Sequence, residues 1–98
     1  MYGTVAKLTF RSGAREDALR HLTQRYERER LPGAVASYAY QTDADPDVWY
    51  LAVMFDGKES YWANARSPEQ NSRFTELRAL LATDPEWHDG EVVQVFKV

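Results

Sequence analysis

The amino-acid sequence predicts a single α+β domain in which four strands build one antiparallel sheet and helices cover one of its faces. Three observations predict it. Segments with a period of two alternate with segments of helical period in the order β-α-β-β-α-β. The second and third strand segments are joined by a short Asp-rich turn, as in an antiparallel hairpin. The chain has 98 residues, which is one domain near the low end of the usual size range.

Tyr2 to Arg11 alternates as a strand, with Tyr2, Thr4, Ala6, Leu8 and Phe10 on one side and Gly3, Val5, Lys7, Thr9 and Arg11 on the other. Ser12 and Gly13 break it. Ala14 to about Arg30 has helical spacing, with Ala18, Leu19, Leu22 and Tyr26 in one stripe. Its other face is charged. Glu16 with Arg20, and Arg25 with Glu29, are four apart and can pair, and Asp17 is the expected partner of His21. Pro32 and Gly33 end this helix. Ala34 to Thr42 is the second strand, Asp43 to Asp47 the turn, and Val48 to Phe55 the third strand. The third strand is apolar on both sides: Val48, Tyr50, Ala52 and Met54 against Trp49, Leu51, Val53 and Phe55.

Asp56 with Glu59 reads as a capping box for a short helix from about Lys58 to Ala65. Ser67, Pro68 and Gln70 repeat the start signal for a helix that runs to about Leu81 and buries Phe74, Leu77 and Leu81. Asp84-Pro85 stops the chain, Asp89-Gly90 reads as a turn, and Glu91 to Val98 as the last strand. This order, with its second helical segment split in two, is the ferredoxin-like split βαβ motif. Helices in such a fold cover one sheet face. Because the third strand is apolar on both faces, a second copy of the same sheet is the expected cover for the other, making a homodimer. Such a small chain buries only about two thirds of its unfolded surface alone, so pairing would add burial it lacks.

Composition narrows the function classes. Hydrophobic residues make up 44% and aromatics 13%, enough for a core with rings to spare for a pocket or interface. There is no cysteine, which excludes disulfides, thiolate metal sites and a cysteine nucleophile. The net charge of −3 argues against nucleic acid as a partner. No apolar run approaches the ~20 residues that span a bilayer, so no membrane partner is expected. Met1 to Arg11 lacks the charged and apolar segments of a signal peptide, so a cytoplasmic location is expected.

Three motifs fail on inspection. Asp43-x-Asp45-x-Asp47 begins like a calcium loop, but Val48 and Met54 stand where Gly and Glu are needed. His88, Asp89 and Glu91 cluster after Trp87 without a second histidine nearby, so no metal site is expected there. Ser12, Ser37, Ser60, Ser67 and Ser72 sit in no recognisable nucleophile setting, and the five glycines are scattered at turns. The helix after Pro68 is more informative. Its buried stripe, centred on Leu77 and Leu81, projects back to Gln70 and close to Arg73. Tyr61 and Trp62 on the preceding short helix border the same space. Polar groups converging on an apolar space are the usual form of a small-molecule site. The alternative is that Arg73 extends to solvent along its stem and that Trp62 is ordinary core or interface.

The stretch Phe55-Asp-Gly-Lys-Glu-Ser-Tyr-Trp-Ala-Asn-Ala-Arg-Ser-Pro-Glu-Gln70, with Pro85-Glu-Trp-His-Asp-Gly-Glu91, resembles the antibiotic biosynthesis monooxygenase family of dimeric α/β-barrel proteins. The resemblance extends to the element order of the whole chain. It implies two ferredoxin-like sheets forming a barrel, with a pocket in each subunit between sheet and helices. It also implies oxygenation of a small planar aromatic, polyketide- or quinol-like substrate with no cofactor, neither metal nor flavin. The substrate's own phenol or carbanion then activates oxygen while the protein orients it and stabilises charge. On this resemblance Arg73 and Trp62 are the catalytic candidates, with Tyr61, Asn64 and Gln70 lining the substrate. Trp62 and Tyr61 would stack on a planar ring, and Arg73 would stabilise its anion. A haem-degrading branch of the family shares a tryptophan at the position of Trp62. It also uses an asparagine and a histidine whose places here look like Ala6 and Ser72 or Arg73, so its axial ligand is missing. The other class of function that the sequence leaves open is a non-catalytic small-molecule-binding or stress-related protein using the same pocket.

Overall fold

The period-two segments form strands at Tyr2–Thr9 (β1), Ala34–Gln41 (β2), Val48–Phe55 (β3) and Glu86–Glu91 (β4). The helices are Arg15–Arg28 (α1), Lys58–Ala65 (α2) and Pro68–Leu80 (α3). The computed structural model describes residues 1–28 and 31–98, side chains at 26–28 excepted. The expected pairing of Arg25 with Glu29 and the place of Tyr26 in the α1 stripe lie outside the described residues.

The sheet order is β2-β3-β1-β4, antiparallel throughout, which is the ferredoxin-like arrangement. Register fixes which side chains share a face. Thr4, Ala6 and Leu8 of β1, Phe10 just beyond it, and Trp49, Leu51, Val53 and Phe55 of β3 point toward the helices and are buried. They form the core with Ala18 and Leu22 of α1, Leu31, and Leu77 and Leu81 at the end of α3. The Phe10 and Trp49 rings meet edge-on at 4.8 Å, and the Trp49 indole N–H donates to the Pro46 carbonyl at 2.9 Å. At the hairpin base Gly33 has φ of +82°, and an added Cβ there would stand 2.6 Å from the Ser60 Cβ. Only glycine lets this turn approach α2 so closely.

Among the described residues, no helix covers the opposite sheet face. Register places His88, Val5, Ala52 and Tyr38 in one row across it, and Glu86, Lys7, Tyr50 and Tyr40 in the next. Tyr38 and Tyr40 are 69% and 63% exposed. The half-buried Val48, Tyr50, Ala52 and Met54 of β3 continue this apolar surface.

Four local expectations are corrected. Leu19 is exposed rather than in the buried stripe of α1. Asp17 pairs with Arg20 at 2.9 Å, and His21 reaches Glu76 of α3 at 3.5 Å instead. Gly57, not Asp56, precedes the first turn of α2, and the Asp56 carboxylate accepts from the Ser60 hydroxyl at 2.5 Å. The last strand is Glu86–Glu91, so Asp89-Gly90 lies within it and not in a turn. The Val92 N–H donates to the Met1 carbonyl at 2.9 Å. Beyond it, residues 93–98 make no ladder, and Val93 and Phe96 are exposed. Their strand propensity lacks a partner strand within the described residues.

Candidate small-molecule site

Between the covered sheet face and the helices lies a cavity of about 360 Å³. That is within the usual range for a small ligand, roughly 300–1,000 Å³. Leu51, Val53 and Phe55 of β3 form its apolar floor, and Phe74 and Leu77 of α3 close one side. Tyr61, Trp62 and Asn64 come from α2, Gln70 and Arg73 from α3. The structure thus brings all five sequence-derived candidates to one cavity.

Local capping explains how α3 delivers its residues. The Ser67 hydroxyl accepts the Gln70 backbone N–H at 3.1 Å, and Pro68 opens the helix. This fixes the first turn and aims Gln70 and Arg73 at the same side. Arg73 is only 9% exposed, so it does not extend to solvent as the alternative reading required. Its Nε donates to the Gln70 Oε1 at 3.2 Å and its Nη2 to the Asn64 Oδ1 at 3.2 Å. The Asn64 amide also donates to the Gln70 Oε1, at 3.4 Å. These bonds hold the guanidinium plane between α2 and α3.

Tyr61 is the aromatic hub. Its ring lies edge-on to Tyr2 at 5.1 Å, to Trp62 at 5.0 Å and to Phe55 at 5.6 Å. Its hydroxyl donates to the Asp89 carboxylate at 2.5 Å. Burial, and then the bond to Asp89 and its charge, hold this phenol well above its usual ionisation range. Tyr61 is therefore a neutral donor at ordinary pH. The sign of its effect on stability follows. The unfolded phenol ionises near about 10. Because the folded value is higher, the contribution is complete below that pH and is lost as pH rises above it. Denaturant titrations should show stability falling above about pH 10. The fall should be shallower in Tyr61→Phe, and equal slopes would contradict the role of this group.

Trp62 is half-buried, with the Arg66 guanidinium 5.9 Å from its ring centre. Thr4, 5% exposed, also lines the cavity, with its hydroxyl beside the Tyr61 phenol.

Sequence reasoning missed Trp87, Asp89 and Arg25, which also line the cavity. Trp87 and Asp89 belong to β4, where register sets them on the helix side beside Ala6 and Thr4. The small Ala6 leaves room for the indole, which tilts against Phe74 at 6.0 Å. Arg25 reaches in from α1, and its Nη2 donates to the Gln70 Oε1 at 3.1 Å. The period-two count that placed Thr4 and Ala6 would have found Trp87 and Asp89 had β4 been started at Glu86. His88 falls on the opposite face, away from the cavity. Among the described residues, no three histidine, aspartate or glutamate side chains are grouped to hold a metal ion. No described helix is long and apolar enough to cross a membrane.

No family model and no curated protein matches the sequence. Solved structures do match. A protein assigned as an antibiotic biosynthesis monooxygenase from Chloroflexus aurantiacus is 25% identical, with a TM-score of 0.78 over 98% of this chain and 96% of that one. One from Nitrosomonas europaea, also so assigned, has a TM-score of 0.80 at 15% identity, over 96% of this chain and all of that one. SnoaB, a cofactor-independent oxygenase from Streptomyces nogalater solved as a single-substitution variant, gives 0.77 at 16% identity over 96% and 94%. The chain resembles the antibiotic biosynthesis monooxygenase family over nearly its whole length and has its fold.

Proposed function

We propose that this protein is a cofactor-independent monooxygenase acting on a small planar aromatic substrate held in the cavity between sheet and helices. The observation that carries this reading is the buried, amide-braced Arg73 guanidinium at a ring-bordered cavity with an apolar floor. A planar phenol or enol fits the apolar floor, with Trp62 and Tyr61 against its rings. Asn64 and Gln70 hold Arg73 where the substrate's oxygen would develop charge. A pre-oriented cation in a water-poor site favours the anion that reacts with dioxygen. The redox balance needs no external reductant. A ring methylene becomes a carbonyl, one oxygen atom enters the product, and the other leaves as water.

A fluorescence titration with anthrone and with 1-naphthol tests the site. Trp62→Ala is expected to weaken binding about tenfold or more, through loss of buried aromatic area, while the far-ultraviolet circular dichroism stays unchanged. Unchanged affinity would remove Trp62 from the site. A second reading, a binding protein without turnover, would show the same binding and no oxygen consumption.

We propose in addition that the open sheet face, with Tyr38, Tyr40 and Val5 exposed on it, pairs with a second copy as a cytoplasmic homodimer. Light scattering at micromolar concentration should give about twice the chain mass. A monomer mass would contradict it.

A further inference from the structure

Tyr61 and Asp89 both line the cavity, and the Tyr61 hydroxyl donates to the Asp89 Oδ1 at 2.5 Å. They reach it from different elements. Tyr61 comes from α2 and is half-buried, with its ring against Tyr2 and Phe55. Asp89 comes from β4, where it pairs in register with the buried Thr4 and stands on the exposed edge strand. One short hydrogen bond therefore links the cavity to a carboxylate in contact with water. A hydroxyl that donates its proton keeps the capacity to accept another. Burial, and then the bond to Asp89 and its charge, keep the phenol protonated at ordinary pH, so it has a proton to pass on. Asn64, three residues after Tyr61 and on the same side of α2, braces the Arg73 guanidinium. A single turn of α2 thus sets a proton acceptor and a cation toward one cavity. Those are the two groups that ionising a weak acid requires.

We infer that Tyr61 and Asp89 form a proton relay that ionises the substrate, with the Tyr61 oxygen taking the proton from it and Asp89 as the final acceptor. The C–H bond of the ring methylene breaks, and its electron pair stays on the substrate as an enolate whose oxygen meets Arg73. The methylene proton passes to the Tyr61 oxygen as the phenol's own proton passes to the Asp89 carboxylate, so Tyr61 ends unchanged. Asp89 then releases the proton to solvent. No oxidant enters this step; dioxygen reacts only with the enolate that it leaves. The inference rests on the reading of this cavity as a substrate site and deepens it, by naming the groups that make the reactive anion.

The test separates that step from oxygenation. Anthrone is incubated with the protein under argon in deuterated buffer at neutral pH, and deuterium entry at its methylene is followed by proton NMR. The wild-type protein is expected to speed exchange over buffer. Asp89→Asn still accepts the Tyr61 hydroxyl but is no base, and should lose about 100-fold of that acceleration. Tyr61→Phe keeps the ring, removes the relay oxygen and should lose as much. Anthrone affinity, read by tryptophan fluorescence, should change little in both variants, whereas a merely structural bond between α2 and β4 would cost binding and exchange together. No acceleration by the wild-type protein, a loss of less than about tenfold in either folded variant, or a loss of affinity that matches the loss of exchange overturns the inference. The two substitutions lie on different elements, so poor folding of one leaves the other to decide. Turnover is read separately. Exchange that both substitutions abolish, without oxygen uptake by the wild-type protein, keeps this inference and removes the oxygenase reading. Oxygen uptake that both variants retain does the reverse.

Discussion

Arg73→Leu is expected to lower the oxygenation rate at saturating substrate by about 100- to 1,000-fold, the usual cost of removing one preorganised group that stabilises developing charge. Arg73 is 9% exposed and is held on two sides, by Gln70 and by Asn64. Its position is set before substrate arrives, so little reorganisation is needed when charge develops. Leucine keeps apolar bulk but removes charge and donors. It also leaves the Gln70 and Asn64 oxygens with fewer donors, so some stability will be lost, and thermal unfolding must accompany the rate. Arg73→Lys keeps the charge but cannot reach both amide oxygens with one planar fork, so its rate should fall between the two. A folded Arg73→Leu protein within threefold of the wild-type rate would remove Arg73 from the chemistry.

Phe55→Ala is expected to cost about 3–5 kcal/mol of folding free energy. Phe55 is 1% exposed and stands where β3, α2 and the cavity meet. Its ring meets Tyr61 edge-on at 5.6 Å, so its loss opens the core and loosens the residue that reaches Asp89. Domains are stable by only about 5–15 kcal/mol, so this variant should be partly unfolded near its working temperature. Urea unfolding would show a lower midpoint with an unchanged slope. A loss below about 1 kcal/mol would mean that the site collapses to fill the space.

Much of the fold was legible because its strongest elements repeat their pattern. The third strand matches Val48–Phe55 at both ends, since a fully apolar run bounded by a turn and a helix start admits few alternatives. The start of α3 was legible because Ser67 and Pro68 state it chemically. β4 was not. It is an edge strand whose six residues are all exposed, so burial imposes no alternation on it, and Asp89-Gly90 has the composition of a hairpin turn. Pairing with β1 decides its place, and that is tertiary information. The Val-rich segment after Val92 carries the stronger strand propensity yet makes no ladder.

The candidate site divides the same way. Tyr61, Trp62, Asn64, Gln70 and Arg73 are close in sequence, so one helix–turn–helix segment points at them together. Arg25 is 45 residues from Gln70 and belongs by pattern to the charged face of α1. His21 likewise meets Glu76 across the α1–α3 contact and not Asp17 on its own helix. Contacts between distant helices are set by packing, which a local pattern does not encode.

The central claim is that this cavity oxygenates a planar aromatic without a cofactor. It is tested most directly by oxygen uptake in a closed cell, using chelator-treated protein and anthrone as substrate. The expected result is enzyme-dependent consumption of one dioxygen per quinone formed, unaffected by chelator and suppressed in Arg73→Leu. Binding of the aromatic with no uptake above the spontaneous rate would contradict the claim and leave a binding protein with the same cavity.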